Sequence, residues 1–125
     1  MDHIVNPAND RIDITVMDAA GAGGASHVYV VNWRGEPTAD NPKGPVIGET
    51  ILSFQNGSIK EKGVNGITQE ALLAVVIDRL RSFQAGPFAC EENAEALTYL
   101  EAAQKLLMDR TRARMARGVE GTLEK

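Results

Sequence analysis

Side chains suited to holding a ligand gather at two places in this chain. FQAGPFACEEN, Phe83 to Asn93, puts two of the three phenylalanines, the one cysteine and an asparagine into a short stretch of a protein that is only 5% aromatic. An aromatic face beside a bifunctional amide can stack on a purine base and read its edge. Further on, Arg110, Arg112, Arg114 and Arg117 fall within eight residues, with Asp109 the one acid close by. At about 100° per helical residue, Arg110, Arg114 and Arg117 lie within about 60° of one another, and Arg112 points to the other side. Cations set against the negative end of a helix dipole account for one or two arginines. Three in register suit phosphate, which the planar guanidinium fork binds in bidentate fashion.

The remaining reactive residues form no catalytic group. Cys90 has only His3 and His27 for company, too few ligands for a zinc site, and no histidine stands near it in sequence to activate the thiol, so it is read as a packing residue. Glu49, Glu61, Glu70 and Glu101 are scattered over different elements and give no carboxylate pair. GAGGAS, Gly21 to Ser26, follows a strand as a dinucleotide-binding turn does, yet the residues after it, His27-Val-Tyr-Val-Val, are a strand and not the helix such a turn must open. It is read as a hairpin loop. GVNGIT, Gly63 to Thr68, is a turn before a helix cap. No metal, no cofactor and no enzymatic activity are expected.

The elements that must position these groups follow from periodicity. RIDITVM (Arg11 to Met17) alternates apolar and polar residues, HVYVVNW (His27 to Trp33) is β-branched and aromatic, and VIGETILSFQ (Val46 to Gln55) reads as a third strand interrupted at Gly48. Gln55-Asn56-Gly57-Ser58 is a hairpin turn signal leading to a short fourth strand at Ile59. RGEPTADNPKGP between the second and third strands is a surface loop. Thr68 caps a first long helix, Gln69 to Gln84, whose stripe of Leu72, Val75, Val76, Leu80 and Phe83, widened by Leu73 and Ile77, predicts burial over more than half the circumference. Gly86 ends it as a C′ residue, with Pro87 preventing continuation. A second helix runs from about Glu91 to Arg117, and Gly118 closes it. The short link between them predicts an antiparallel hairpin.

The expected fold is therefore α+β: a small N-terminal antiparallel β-layer (11–60), a C-terminal antiparallel α-helical hairpin (68–117) and a tail (118–125), in one domain of 125 residues. A net charge of −4 and a pI near 5.1 argue against binding duplex nucleic acid. No apolar run approaches the roughly 20 residues of a membrane span. The opening MDHIVNPANDR lacks the basic and apolar regions of a signal peptide, which predicts a cytoplasmic protein.

Asn93 and Arg110 lie 17 positions apart on one helix (110 − 93). At about 1.5 Å per residue that is about 25 Å. If the turn and the arginines share one small nucleotide, a second copy must bring its second helix alongside in antiparallel fashion, and the site is intersubunit. Phe83 as a core residue and Asn93 as a helix-start residue would explain each separately.

The run SFQNGSIKEKGVNGITQEALLAVVIDRL, with FQAGPFACEENAEALTYLEAAQKLL and RTRARMARGVEGT, resembles the phage proteins that share the hairpin domain of the anti-CBASS and anti-Thoeris sponges, in particular the first Thoeris anti-defence family. The likeness covers Ser53 to Thr122, and AGAGGASHVYVV also fits. Ala22 stands where that family suggests histidine, and Ser58 where proline is usual. The resemblance implies a phage-encoded sponge that sequesters cyclic ADP-ribose isomers made by TIR enzymes, without degrading them, in the cytoplasm of the infected bacterium. It implies cyclic di- or trinucleotides of CBASS systems as further partners at separate sites, and assembly as homodimers or as a hexameric trimer of dimers. Its binding positions fall on Phe83, Asn93 and Arg110; Arg114 and Arg117 are added from helix geometry. A nucleotide-degrading enzyme and a small DNA-binding regulator using the Arg110–Arg117 helix are the competing readings.

Overall fold

A computed structural model describes residues 11–118. His3 and the expected tail beyond Gly118 lie outside the described residues. The described residues form two compact units, one running from Arg11 through Gly57 and including Lys62–Gly66, the other made of Ser58–Glu61 and Ile67 through Gly118.

The first unit is an antiparallel sheet of three strands, β1 (Ile12–Val16), β2 (Val28–Arg34) and β3 (Val46–Ser53), in the order β1-β2-β3. The register sets Ile12 opposite Trp33, Ile14 opposite Val31 and Val16 opposite Tyr29, and on the other side Trp33 opposite Gly48, Val31 opposite Thr50 and Tyr29 opposite Leu52. One face thus collects the apolar side chains that alternation predicts. Gly48 does not interrupt β3. It gives room to the Trp33 indole, which occupies the space a β-carbon would need, and the pairing shifts register just beyond it, between Trp33 and Arg34. Tyr29 meets Phe54 edge to face, ring centroids 5.8 Å apart.

The glycine loop between β1 and β2 contains a single 3-10 turn, Ala22–Gly24, with Gly23 and Gly24 at positive φ and no helix after it. Beneath it the Asp18 carboxylate accepts the backbone N–H groups of His27 and Val28 at 3.0 Å, which holds its pKa below the usual carboxylate value, the Val28 bond contributing most. His27 is buried.

No fourth strand forms at Ile59. Ile59–Lys62 is instead a short helix, α1, because Ser58 is buried with its Oγ accepting the Glu61 N–H at 3.2 Å, a local capping bond that a strand would forgo. The loop that follows is closed by Asn65, whose side-chain Oδ1 accepts the Asn56 N–H at 2.8 Å and whose Nδ2 donates to the Asn56 carbonyl at 2.7 Å.

The second unit is the helical hairpin of α2 (Gln69–Gln84) and α3 (Glu91–Ala116). Thr68 Oγ1 accepts the Ala71 N–H at 3.2 Å and starts α2. Gly118, at φ 72, closes α3 by donating its N–H to Met115 O at 3.0 Å. Gly86 does not act as a left-handed C′ residue. Ala85 caps α2 in the right-handed conformation, and Gly86 starts a turn through Pro87 that closes with the Ala89 N–H on its carbonyl at 3.3 Å.

Burial on α2 is narrower than its apolar stripe predicts. Ile77 alone is buried on this helix, while Val75 is 59% and Val76 43% exposed. One neighbouring helix covers only one flank of a cylinder. On α3 the half-buried Asn93, Leu97, Leu100, Gln104, Leu107 and Thr111 form one series that ends at Arg114, which is buried, and Glu101, Ala103 and Asp109 beside it are half-buried too.

Candidate nucleotide-binding site

The turn between the helices is built by one side chain. Gln84, the last residue of α2, donates from Nε2 to the carbonyl of Cys90 and accepts the Cys90 N–H on Oε1, both at 3.1 Å. Cys90 is the N-cap of α3, in extended conformation, so this two-point clamp fixes where α3 begins relative to where α2 stops. The Cys90 thiol itself is exposed, which corrects its reading as a packing residue: its backbone holds the turn.

Phe83 and Asn93 flank that clamp. Phe83 is 40% exposed, so it is not a core residue of this chain, and Phe88 at the tip is 73% exposed. Asn93 stands three residues inside α3 and does not cap it; it is half-buried, and its side-chain amide bonds no other described residue. An aromatic surface and an unengaged amide therefore stand at one end of the hairpin. Beside them the Arg79 guanidinium carbon lies 5.5 Å from the Phe83 ring centroid.

The arginines of α3 separate by environment. Arg110 is exposed and has no ion pair with a described residue, and the neighbouring Asp109, which faces another side of the helix, pairs with Lys105 at 2.8 Å and Arg112 at 3.5 Å. Those cations, the Lys105 hydrogen bond first, hold the Asp109 carboxyl below its ordinary pKa. Arg117 is exposed and caps the helix. Arg114 is only 7% exposed. The reason is legible in spacing: Arg114 follows Leu100 and Leu107 at intervals of seven, on the inner face, whereas Arg110 and Arg117 share the outer face with Tyr99 and Leu106, 67% and 69% exposed. Within one chain nothing brings Arg110 to Asn93, since the helix between them spans about 25 Å.

Among the described residues no cluster of three metal-ligating side chains occurs, and no helix is long and apolar enough to cross a membrane. Sequence reasoning passed over Arg79, although its spacing of four from Phe83 on one helix was the signal.

Comparison with known proteins bears on the same turn. The Acb2/Tad1 hairpin domain matches residues 49–112. A protein of Bacillus phage SBSphiJ7, Thoeris anti-defense 1, is 41% identical over 115 residues, covering 81% of each chain. The chain belongs to the Acb2/Tad1 hairpin-domain family. That family's domain takes in β3 from Glu49, the whole of α2 and the clamped turn, and it ends within α3. Phe83, Asn93 and Arg110 lie inside the Acb2/Tad1 match, and Arg114 and Arg117 lie outside it.

Proposed function

We propose that this chain is a phage anti-defence sponge that binds a cyclic ADP-ribose isomer and keeps it from the bacterial defence that uses it, leaving the ligand chemically unchanged. The observation that carries the reading is the clamped turn, where Phe83 offers a partly exposed ring and Asn93 an amide without a protein partner. Such groups stack on a base and read it. The name of the phage relative supports the anti-defence role.

Arg110 enters the site from a second copy. The outer face of α3 reads Glu92, Glu95, Tyr99, Ala102, Leu106 and Arg110, with the half-buried Ala103 at its border, acidic at its start, small and apolar at its middle, basic toward its end. Two such faces pair antiparallel about an axis between Ala102 and Ala103, which sets Tyr99 against Leu106 and Glu95 against Arg110, since 99 + 106 equals 95 + 110. Small residues at the crossing let the helices approach, and the same register brings Arg110 to the end where the other copy holds Phe83 and Asn93. A homodimer then carries two equivalent composite pockets. Arg114 and Arg117 lend positive potential at the far end of the helix. Cyclic oligonucleotides and a hexamer built of three dimers extend the same reading to further sites and larger assemblies.

The test is recovery. The protein is incubated with a TIR-made cyclic ADP-ribose isomer, freed of unbound ligand, and heated to denature it. Intact ligand in the supernatant is the expected result; altered ligand, or none retained, overturns the proposal.

A further inference from the structure

Arg79 and Phe83 stand one helical turn apart on α2, separated by about 6 Å of helix rise. The guanidinium lies over the ring at 5.5 Å, close to the outer reach of about 6 Å for such a contact. Arg79 is exposed and has no carboxylate or carbonyl partner among the described residues, unlike Arg81, which Glu101 holds through two hydrogen bonds of 3.1 and 3.2 Å. A cation resting on an aromatic ring at an exposed site is held weakly, and a phosphate oxygen is a stronger partner for the guanidinium fork.

We propose that Arg79 is a phosphate-binding residue of the Phe83/Asn93 site, taking an oxygen of the diphosphate of the nucleotide whose base stacks on Phe83. The inference rests on the nucleotide reading above and adds to it. One turn of helix between the aromatic and the cation is on the scale that separates a base from its own phosphates, so base and anion are both met by α2 of a single chain. Arg110 of the second copy then closes over the ligand as a second cation instead of supplying the whole of its charge. Arg79 also keeps the ring aligned before ligand arrives, because the guanidinium occupies one side of it.

The experiment is titration calorimetry of the full-length protein with a cyclic ADP-ribose isomer, at low and at about threefold the physiological ionic strength. Wild type is compared with Arg79→Gln, Arg79→Lys and Phe83→Ala, each checked for an unchanged melting temperature. Arg79→Gln is expected to weaken binding about tenfold at low salt, the worth of one charge-assisted hydrogen bond, with the gap narrowing as salt rises. Arg79→Lys is expected to recover most of the loss, which a purely structural role would not allow. If Arg79→Gln binds as wild type at low salt while Phe83→Ala does not, the site stands and Arg79 has no part in it. If Phe83→Ala also binds as wild type, the nucleotide reading of this turn fails and the role of Arg79 falls with it.

Discussion

Gln84 holds Cys90 by two backbone hydrogen bonds of 3.1 Å, one donated and one accepted by the same side-chain amide. The relationship links the last residue of α2 to the first cap of α3, and the placement of Phe83 and Asn93 depends on it. Gln84→Ala removes both bonds at a partly exposed site and should cost about 1–2 kcal/mol. Gln84→Glu keeps the acceptor and loses the donor, so it should fall between the two. Denaturant unfolding of the three proteins checks the order, and ligand affinity should fall in the same order because the turn loosens.

Two glycines, one before the start of α2 and one after its end, make opposite predictions. A β-carbon on Gly66 would press into the backbone carbonyls of Ser53 and Phe54, which cannot swing aside, so Gly66→Ala should destabilise by about 1–3 kcal/mol. At Gly86 the nearest atoms to such a carbon are Ser82 O at 3.7 Å and Phe83 O at 3.9 Å, ordinary contacts, and φ there is not positive. Gly86→Ala should change stability by no more than about 0.5 kcal/mol. Paired melting curves decide between this account and a left-handed cap at Gly86, which would make that substitution the costly one.

The Asp18 carboxylate gives the sheet unit a dependence on acid. Its folded-state pKa is lowered, chiefly by the Val28 N–H, with the His27 N–H and the nearby His27 ring adding to the effect. Stability from this group is complete above the unfolded value of about 3.9, and it is lost as pH falls through the lower folded value. Asp18→Asn should therefore flatten the acid limb of a stability-against-pH curve while changing its shape little near neutrality. An acid limb identical in wild type and variant would show that Glu36 and Asp109, whose pKa values are also lowered by their cationic partners, carry it instead.

Composite pockets can be tested by mixing two defective chains. Phe83→Ala with Asn93→Ala spoils both sites of its homodimer, and so does Arg110→Ala. A heterodimer of the two holds one wholly mutant site and one intact site. Binding at half of the sites, each near wild-type affinity, is the expected outcome. Purified heterodimers that bind no cyclic ADP-ribose isomer would show that the pocket lies within one chain or that Arg110 serves elsewhere.

Much of this architecture is legible without coordinates where a residue has one local task. Alternation in RIDITVM specifies a strand because it puts the apolar side chains on one face, and the Thr68 cap and Gly118 specify helix ends because each satisfies backbone groups nearby. Ile59 misleads because QNG is a hairpin signal, and the bond that overrides it, Ser58 to the Glu61 N–H, is equally local but weaker in pattern. Long-range choices are harder to read. That Trp33 needs Gly48, or that Gln84 spends its amide on Cys90, depends on two segments meeting, and no periodicity records it. The candidate site divides in the same way: Phe83, Asn93 and Arg110 announce themselves by type, whereas the burial of Arg114 follows from its interval of seven after Leu107.

Native mass spectrometry of the wild-type protein, with and without a cyclic ADP-ribose isomer, tests the central claim most directly because it counts subunits and ligands in one spectrum. The account predicts an even-numbered assembly carrying one ligand for every chain, two in a dimer, released on activation at its unaltered mass. A monomer, an assembly that takes up no ligand, or a released species of changed mass would contradict it.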